Sequence, residues 1–190
     1  MQRTKKITAF VLAIALCVGM LQTLGVNAKA ADTGKHMDVL FTHDTHSHLN
    51  SFSTIVDGKQ EEVGGFARLK TLIDEQKEKN PDTLYLDGGD FSMGTLIQTV
   101  YETEAAELRM LGYLGCDVTT WGNHEFDYGM PSFLELAGKL NCGYYSCNFI
   151  STASGQSVFA PYKMISYGDT QVAYVGVSTP ESFTKSTPAY

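Results

Sequence analysis

Four short apolar segments, separated by amphipathic stretches and polar turns, constrain the fold of this chain most strongly. The apolar segments are residues 38–42, 83–86, 116–120 and 143–147. Between them, apolar residues recur at helical spacing in residues 64–79, 99–114 and 131–140. The apolar segments have the length of strands, and strands that alternate with helices are typical of a parallel sheet. This order predicts an α/β fold, in which helices cover a mainly parallel sheet.

Three further patterns complete the expected secondary structure. The run Val39, Leu40, Phe41 predicts that the first strand is buried. Residues 47–63 are polar and contain the turn signal Asp57-Gly58, so we expect a loop there. After residue 160, two segments flank Gly168-Asp169 and predict a hairpin over residues 162–177.

The first 30 residues have the order of a secretory signal peptide. Met1–Lys6 is positively charged, Ile7–Met20 is almost entirely apolar, and Ala28-Lys29-Ala30 supplies small residues at a cleavage site. We therefore predict a signal peptide over residues 1–30 and a polar linker over residues 31–36. Residues 37–190 would form the folded domain, in the periplasm, at the cell surface or outside the cell.

A membrane anchor is the alternative interpretation of this N-terminal segment. Its apolar run is shorter than the ~20 residues that a membrane-spanning helix needs. The polar residues Gln22 and Thr23 follow soon after that run. We therefore expect cleavage, and no transmembrane span in the mature chain.

Charge and cysteine content exclude two other classes of protein. The chain has 14 basic and 21 acidic residues and a net charge of −7, so it lacks a basic surface for duplex nucleic acid. A phosphate substrate would need metal ions, or a separate basic domain, to be held by such a chain. Cys116, Cys142 and Cys147 remain after cleavage, an odd and low number that excludes a disulfide framework. Cys142 and Cys147 could pair, and Cys116 is expected to be a core thiol.

Polar residues that can bind metal ions follow each of the first three predicted strands. They are Asp44 and His46 after the first strand, Asp90 after the second, and Asn123, His124 and Asp127 after the third. In an open α/β sheet, ligands bind beyond the carboxyl ends of the strands. We therefore expect three loops to bring these side chains together at one edge of the sheet.

The chemistry of the first four residues suits a pair of divalent cations. Asp44 and His46 project to the same side if the chain is extended there, and their oxygen and nitrogen ligands suit zinc, manganese or iron. Asp90 lies on a turn flanked by glycine and can approach a second ion, beside which Asn123 offers a weak amide ligand. Two ions ~3.5–4 Å apart can hold a phosphate group and generate a hydroxide.

His124 and Asp127 suit a different task. A histidine held by a neighbouring carboxylate has a fixed tautomer and a raised pKa, so it can hydrogen-bond a phosphoryl oxygen or protonate a leaving oxygen. Asp127 follows His124 closely enough to reach its ring if the loop turns. Taken singly, each candidate is more often a turn, cap or surface residue, and only their order after successive strands favours a site.

Four neighbouring polar residues are expected to lie at the margin of this set. Strand alternation predicts that His43 points away from the site, whereas His48, beyond the strand, could face it. Asp87 is expected to cap the turn that it begins. Glu125 is expected to point away from the site.

The candidate residues lie in three short motifs. In chain order these are Asp44-x-His46, Gly89-Asp90, and Gly122-Asn123-His124-Glu125 followed by Phe126-Asp127. This set resembles the calcineurin-like metallophosphoesterases. In their longer context, residues 41–46, 64–68 and 121–127 are similar to one branch of that family. The branch comprises secreted 5′-nucleotidases, UDP-sugar hydrolases and 2′,3′-cyclic phosphodiesterases.

The resemblance implies a four-layer α-β-β-α sandwich, of which this chain would hold the N-terminal half to two-thirds, with the hairpin after residue 160 starting the second sheet. It implies that Asp44 and His46 bind one divalent ion, that Asp90 bridges two ions, and that Asn123 binds the second. His124, oriented by Asp127, would stabilise the transition state. The implied activity is hydrolysis of nucleotides by in-line attack of a metal-bound hydroxide on phosphorus, with two ions of zinc, manganese or a similar metal.

Three features depart from the family pattern. His43 stands where the family commonly has Asn, and no histidine follows His124, although the family uses further metal-binding histidines downstream. The C-terminal nucleotide-binding domain of the family is also absent from these 190 residues. We therefore expect residues 37–190 to be an incomplete catalytic domain that is inactive alone.

Two alternatives are also consistent with these residues. A surface module with a degraded site could act as an adhesin or as a nucleotide sensor. An enzyme with the same chemistry could instead act on cyclic phosphodiesters, UDP-sugars or thiosulfate esters. In each enzymatic case the expected partner is a small molecule and not duplex nucleic acid.

Overall fold

Residues 36–186 are described in this computed structural model, apart from the side chain of Phe183. The predicted signal peptide and nearly all of the linker lie outside the described residues. The strands are β1 (Val39–Thr42), β2 (Phe52–Val56), β3 (Lys59–Val63), β4 (Leu84–Asp87), β5 (Val118–Thr119), β6 (Tyr162–Tyr167) and β7 (Thr170–Val175). The α-helices are α1 (Phe66–Lys79), α2 (Tyr101–Glu104), α3 (Ala106–Leu114), α4 (Met130–Ala137) and α5 (Ser182–Lys185). Two 3₁₀ turns cover Leu96–Val100 and His124–Phe126.

A parallel sheet in the order β1-β4-β5 brings the predicted site loops together. Phe41 of β1 pairs with Leu86 of β4, and Leu86 pairs in turn with Val118 of β5. Tyr144 extends this sheet by a parallel bridge to Thr119. The predicted α/β fold is confirmed, and the carboxyl ends of three parallel strands lie side by side.

Two hairpins lie outside this sheet. The predicted hairpin after residue 160 is confirmed as β6 and β7, which form a separate antiparallel sheet. β2 and β3 form the other hairpin, where a polar loop was predicted, with Asp57 and Gly58 at positive φ in the turn. Every residue of β2 is exposed, so the hairpin lacks the apolar alternation from which a strand is inferred.

Three predicted elements differ in detail. β1 is not buried: Val39 and Phe41 are 41% and 58% exposed, because the face that carries them is uncovered in the described part of the chain. The strand predicted at residues 143–147 is reduced to isolated bridges. The helix predicted over residues 99–114 is broken at Ala105, whose φ of 48° is left-handed. Ala105 is fully buried, so tertiary packing overrides its helix propensity.

The other two predicted helices are confirmed. α1 buries Phe66 and Ile73 and ends at Asn80, directly before Pro81. α4 has Pro131 in its first turn, where the missing N–H costs no hydrogen bond. Between residues 36 and 186, no helix is both long and apolar enough to cross a membrane. The cysteines in this range, at positions 116, 142 and 147, are free thiols, so the disulfide considered above is not formed.

An aromatic cluster lies next to the loop that follows β5. Trp121 and Phe126 are buried, and their ring centroids lie 5.8 and 4.8 Å from that of Phe133 in α4. Phe149 and Phe159 pack against the same tryptophan. Aromatic pairs of this kind contribute about 0.5–1.5 kcal/mol each beyond the area that they bury. The polar residues 123–125 of the loop after β5 lie between Trp121 and Phe126 in the sequence. The aromatic cluster therefore holds this part of the loop at both ends.

Candidate metal centre

The loops that follow β1 and β4 run alongside each other. The backbone N–H groups of Asp44, His46 and Ser47 donate at 3.0, 3.1 and 2.8 Å to the carbonyl oxygens of Gly89, Asp90 and Phe91. These bonds continue the pairing of β1 with β4 beyond the ends of both strands. The first two of the three predicted loops are thus held together by their own backbones.

The backbone at these positions is not extended. Asp44, His46 and Asp90 have φ values of 51°, 44° and 53°, in the left-handed region that residues other than glycine rarely adopt. Each such residue costs on the order of 1–3 kcal/mol, and such strain persists only where the surroundings over-determine it. The sequence predicted that Asp44 and His46 project to one side of an extended chain. They lie close together instead on a backbone that is left-handed at both residues.

The side chains of Asp44, His46 and Asp90 converge on one point. One ligand atom from each lies within 4.8 Å of the others, and Oδ1 of Asp44 is 3.6 Å from Nε2 of His46. Nδ1 of His46 lies 2.9 Å from the carbonyl oxygen of Met93. Because a carbonyl only accepts, Nδ1 donates this hydrogen bond, and Nε2 is the ring nitrogen that remains to bind an ion. Two carboxylates and an imidazole nitrogen presented in this way fit a divalent cation of the zinc or manganese type.

Asp44 is held in the ionised form that a metal ligand requires. A hydrogen bond from the side chain of His43 is the largest cause that lowers the pKa of the Asp44 carboxyl, with burial opposing it and Asp90 and His46 adding to the decrease. The prediction that His43 points away from the site is therefore wrong, because Nδ1 of His43 contacts Oδ2 of Asp44. The left-handed backbone at Asp44 ends the strand alternation on which that prediction rested.

Asp90 connects these two loops to the loop that follows β5. Its Oδ1 accepts a hydrogen bond of 2.9 Å from the backbone N–H of His124. Gly122 lies so close that a Cβ atom there would be 2.1 Å from the same oxygen. The third loop can therefore approach Asp90 only because position 122 has no side chain.

His124 and Asp127 form the predicted pair. The 3₁₀ turn His124–Phe126 brings Oδ2 of Asp127 to 2.6 Å from Nδ1 of His124. The His124 ring lies against that of His46, with centroids 5.0 Å apart. Since an ionised carboxylate only accepts, it holds the proton on Nδ1 and leaves Nε2 as the ring atom that can address a ligand.

Asn123 lies at the margin of the site. It lines a cavity of about 200 Å³ together with Asp90 and Gly88, and residues 177–185 contribute other walls. Its Nδ2 is 3.5 Å from the carbonyl oxygen of Lys185, at the limit of a hydrogen bond. All six candidate residues thus follow β1, β4 or β5, with Asn123 beside the convergent set.

Asp87 and His48, at the margin of the site, form hydrogen bonds with neighbouring residues. Asp87 caps its turn as predicted, accepting hydrogen bonds of 2.9 Å from the N–H of Gly89 and the hydroxyl of Thr119. Burial raises the pKa of the Asp87 carboxyl, and the hydrogen bonds to it oppose that rise. His48, which could have faced the site, directs Nδ1 to the carbonyl oxygen of His46 at 2.8 Å.

Glu125 is the residue that sequence reasoning underrated. It is not among the residues whose ligand atoms converge, but it is fully buried between two site loops and accepts hydrogen bonds from their backbones. Burial raises the pKa of Glu125 to about 8; the charge of Asp90 adds to the rise, and the N–H donors of Asp90 and Gly122 counter it. The only sequence signal was a carboxylate inside the motif itself.

The chain is similar in sequence and in fold to known proteins. A sequence model for the family described as calcineurin-like phosphoesterase matches residues 37–187. The 5′-nucleotidase of Bos taurus is 34% identical over 157 residues, which are 77% of this chain and 27% of that protein.

Two solved structures have the same fold over most of the chain. A 5′-nucleotidase precursor from Thermus thermophilus aligns with a TM-score of 0.70 and 29% identity, covering 77% of this chain and 29% of its own. The NAD nucleotidase of Haemophilus influenzae aligns with a TM-score of 0.70 and 26% identity, covering 80% of this chain and 28% of its own. The chain therefore spans less than a third of the length of these proteins.

Proposed function

This chain belongs to the calcineurin-like phosphoesterase family, and from that premise we propose that it carries part of the metal centre of an exported enzyme that hydrolyses nucleotides. In this proposal residues 1–30 direct export, residues 31–36 are a linker, and residues 37–190 belong to the catalytic domain. The observation that supports it most is the convergence of ligand atoms of Asp44, His46 and Asp90 within 4.8 Å.

Four residues would hold two divalent cations. Asp44 and His46 would bind one ion, Asp90 would contact both, and Asn123 would bind the second. The cavity that Asp90 and Asn123 both line supports the sharing of a site between them. When bound, two such ions would neutralise the charge of a phosphate ester and lower the pKa of a water molecule, which supplies the nucleophile. This also accounts for phosphate chemistry in a chain whose net charge is −7.

His124 would act on the substrate and Asp127 on His124. With Nδ1 hydrogen-bonded to Asp127 at 2.6 Å, the ring has a fixed orientation. Nε2 would then hydrogen-bond a phosphoryl oxygen or donate a proton to the leaving oxygen. The relatives named above as 5′-nucleotidases and an NAD nucleotidase favour a nucleotide as the substrate class.

Metal binding is the first test, because the converging ligand atoms of Asp44, His46 and Asp90 lie on this chain. Isothermal titration with MnCl₂ of the metal-free protein that contains residues 1–190 is expected to show at least one bound ion. Asp90→Ala should abolish most of the binding, because Asp90 contributes to both proposed ion sites. Asp74→Ala, at a half-exposed carboxylate on α1, is the matched control and should leave binding unchanged. A wild-type protein containing residues 1–190 that binds neither Mn²⁺ nor Zn²⁺ would contradict the proposal.

Substrate class is tested separately, on the protein that contains residues 1–190. We expect Mn²⁺-dependent release of phosphate from adenosine 5′-monophosphate. Cleavage of bis(p-nitrophenyl) phosphate or of a UDP-sugar in its place would assign the same site to a different substrate. Nucleotide binding without any hydrolysis would support the alternative of a sensor or adhesin.

A further inference from the structure

Glu125 is a fully buried carboxylate that the proposed reaction does not use. It lies in the 3₁₀ turn after His124 and is 0% exposed. Removing a carboxylate from water costs several kcal/mol unless hydrogen bonds replace the lost solvation. The structure therefore has to supply those bonds within the protein.

The replacement comes from the backbones of two different loops. Oε2 of Glu125 accepts from the N–H of Gly122 at 2.6 Å and from the N–H of Asp90 at 2.9 Å. Oε1 accepts from the N–H of Phe91 at 3.1 Å, and the N–H of Ser92 lies 3.5 Å away. One side chain thus binds the turn after β4 and the start of the loop after β5.

Those two loops are in contact at the residues that the metal centre needs. A Cβ atom at Gly122 would come within 2.1 Å of Oδ1 of Asp90, so the backbone of one loop packs directly against that carboxylate. Asp90 also has a left-handed backbone, with φ 53°, which persists only when its neighbours impose it. The two N–H groups bound by Oε2 belong to Asp90 itself and to the residue before Asn123.

We propose that Glu125 is a positioning residue that sets the spacing between Asp90 and the Asn123–His124 segment, and so sets the affinity of the metal centre. This role rests on the function proposed above. Glu125 touches neither the ions nor the substrate; it acts through the backbones of the residues that do. Partners of metal ligands that act in this way typically change metal affinity about 10–100-fold when they are replaced.

Glu107, a second fully buried glutamate, shows that burial alone does not make such a residue. Its Oε1 accepts a hydrogen bond of 2.6 Å from the hydroxyl of Ser47. Its Oε2 has no partner within the described residues. Glu107 therefore holds one loop through one side chain, whereas Glu125 joins two loops through their backbones.

The test compares Glu125→Gln with Asp117→Asn in the metal-free protein that contains residues 1–190. Glutamine has the same shape as glutamate, but its NH₂ group cannot accept the hydrogen bonds that the backbone N–H groups of one loop donate to Glu125. Asp117 is the matched control, because its carboxylate also accepts a hydrogen bond from a backbone N–H, that of Tyr85 at 2.8 Å. Asp117 directly precedes β5, and Tyr85 lies near the start of β4, away from Asp90. Both variants are checked by circular dichroism and thermal melting, and Glu125→Asp, which keeps the carboxyl group, serves as a second variant if Glu125→Gln does not fold.

Two readouts are measured. Hydrogen exchange of the metal-free protein should become about tenfold faster at the amides of Asp90, Phe91 and Gly122 in Glu125→Gln, and titration with MnCl₂ should show affinity reduced about tenfold or more. Asp117→Asn should lower the melting temperature while keeping the affinity within about twofold of wild type, and Glu125→Asp should give an intermediate affinity.

Three results would overturn the role of Glu125. A folded Glu125→Gln with wild-type Mn²⁺ affinity would show that the loops keep their spacing without it. Equal loss of affinity in Glu125→Gln and Asp117→Asn would reduce the effect to general destabilisation. A wild-type protein that binds no Mn²⁺ would overturn the proposed function and this role together, and the missing signal in the wild type itself distinguishes this result from the other two.

Discussion

Oδ1 of Asp90 accepts a hydrogen bond of 2.9 Å from the backbone N–H of His124, so one carboxylate joins the ends of two parallel strands. A carboxylate oxygen of Asp90 also lies within 4.8 Å of ligand atoms of Asp44 and His46, and Asp90 lines the same cavity as Asn123. Asp90 is therefore a structural link between β4 and β5 as well as a proposed metal ligand. Changes at position 90 are expected to affect both metal binding and the placement of the His124 ring.

Replacement of His124 or of its partner should reduce turnover while the metal ions stay bound. We expect His124→Ala to lower kcat about 10²–10⁴-fold, the range that positioned proton donors contribute. Asp127→Asn should lower kcat in the same direction, because an amide in place of the carboxylate at 2.6 Å weakens the hold on the ring. Steady-state kinetics on the protein that contains this chain, with metal content from plasma mass spectrometry, checks both. Parallel loss of metal and activity would contradict this division of roles.

A side chain at position 122 should displace Asp90. In Gly122→Ala the new Cβ would lie 2.1 Å from Oδ1 of Asp90, so the carboxylate or the loop has to move. We expect a loss of about 1–3 kcal/mol in the free energy of unfolding, typical of overpacking, and weaker Mn²⁺ binding. Gly155→Ala is the control, since position 155 has positive φ but open space around it. Urea unfolding and metal titration of both variants would expose an error if Gly155→Ala were the more damaging.

Removing the hydroxyl of Tyr101 should stabilise the protein. Tyr101 is fully buried, and its hydroxyl has no hydrogen-bond partner among the described residues. An unsatisfied buried polar group costs about 1–3 kcal/mol, part of which Tyr101→Phe should recover. Tyr113→Phe, at a tyrosine that is 68% exposed, should leave the free energy of unfolding unchanged. A clear destabilisation by Tyr101→Phe in urea would indicate that the hydroxyl is bound after all.

Stability should fall as pH rises above about 10, the ordinary pKa of tyrosine. Burial raises the pKa of Tyr85 and of Tyr174, so these hydroxyls stay protonated in the folded state while they ionise in the unfolded chain. The unfolded state then binds fewer protons, and the free energy of unfolding decreases with pH. The stabilisation is fully present below pH ~10 and is lost above it. Urea unfolding at pH 9, 10 and 11 should show the decrease, with a smaller slope in Tyr85→Phe; a flat profile would contradict the burial argument.

Much of the site could be predicted from sequence because its placement follows from strand order. Asp44, Asp90 and Asn123 each follow an apolar segment within four residues, and parallel strands carry such residues to one edge of the sheet. The convergence of Asp44, His46 and Asp90 agrees with that expectation. The roles assigned to these residues stay predictions until the titrations are done.

Tertiary structure decided three features that the local sequence pattern does not encode. The left-handed backbone at Asp44, the contact of His43 with it, and the break at Ala105 arise from hydrogen bonds and packing between segments distant in sequence. The β2–β3 hairpin has no apolar alternation because both of its faces are largely exposed.

The amino-acid sequence by itself determined the order of the three parallel strands and the loops that carry the polar residues, because periodic burial is a short-range property. Only the folded chain decided how those loops are spaced, since Glu125 receives its hydrogen bonds from residues 122 and 90–92. Contacts of that range depend on the register of β4 against β5, which no single segment encodes.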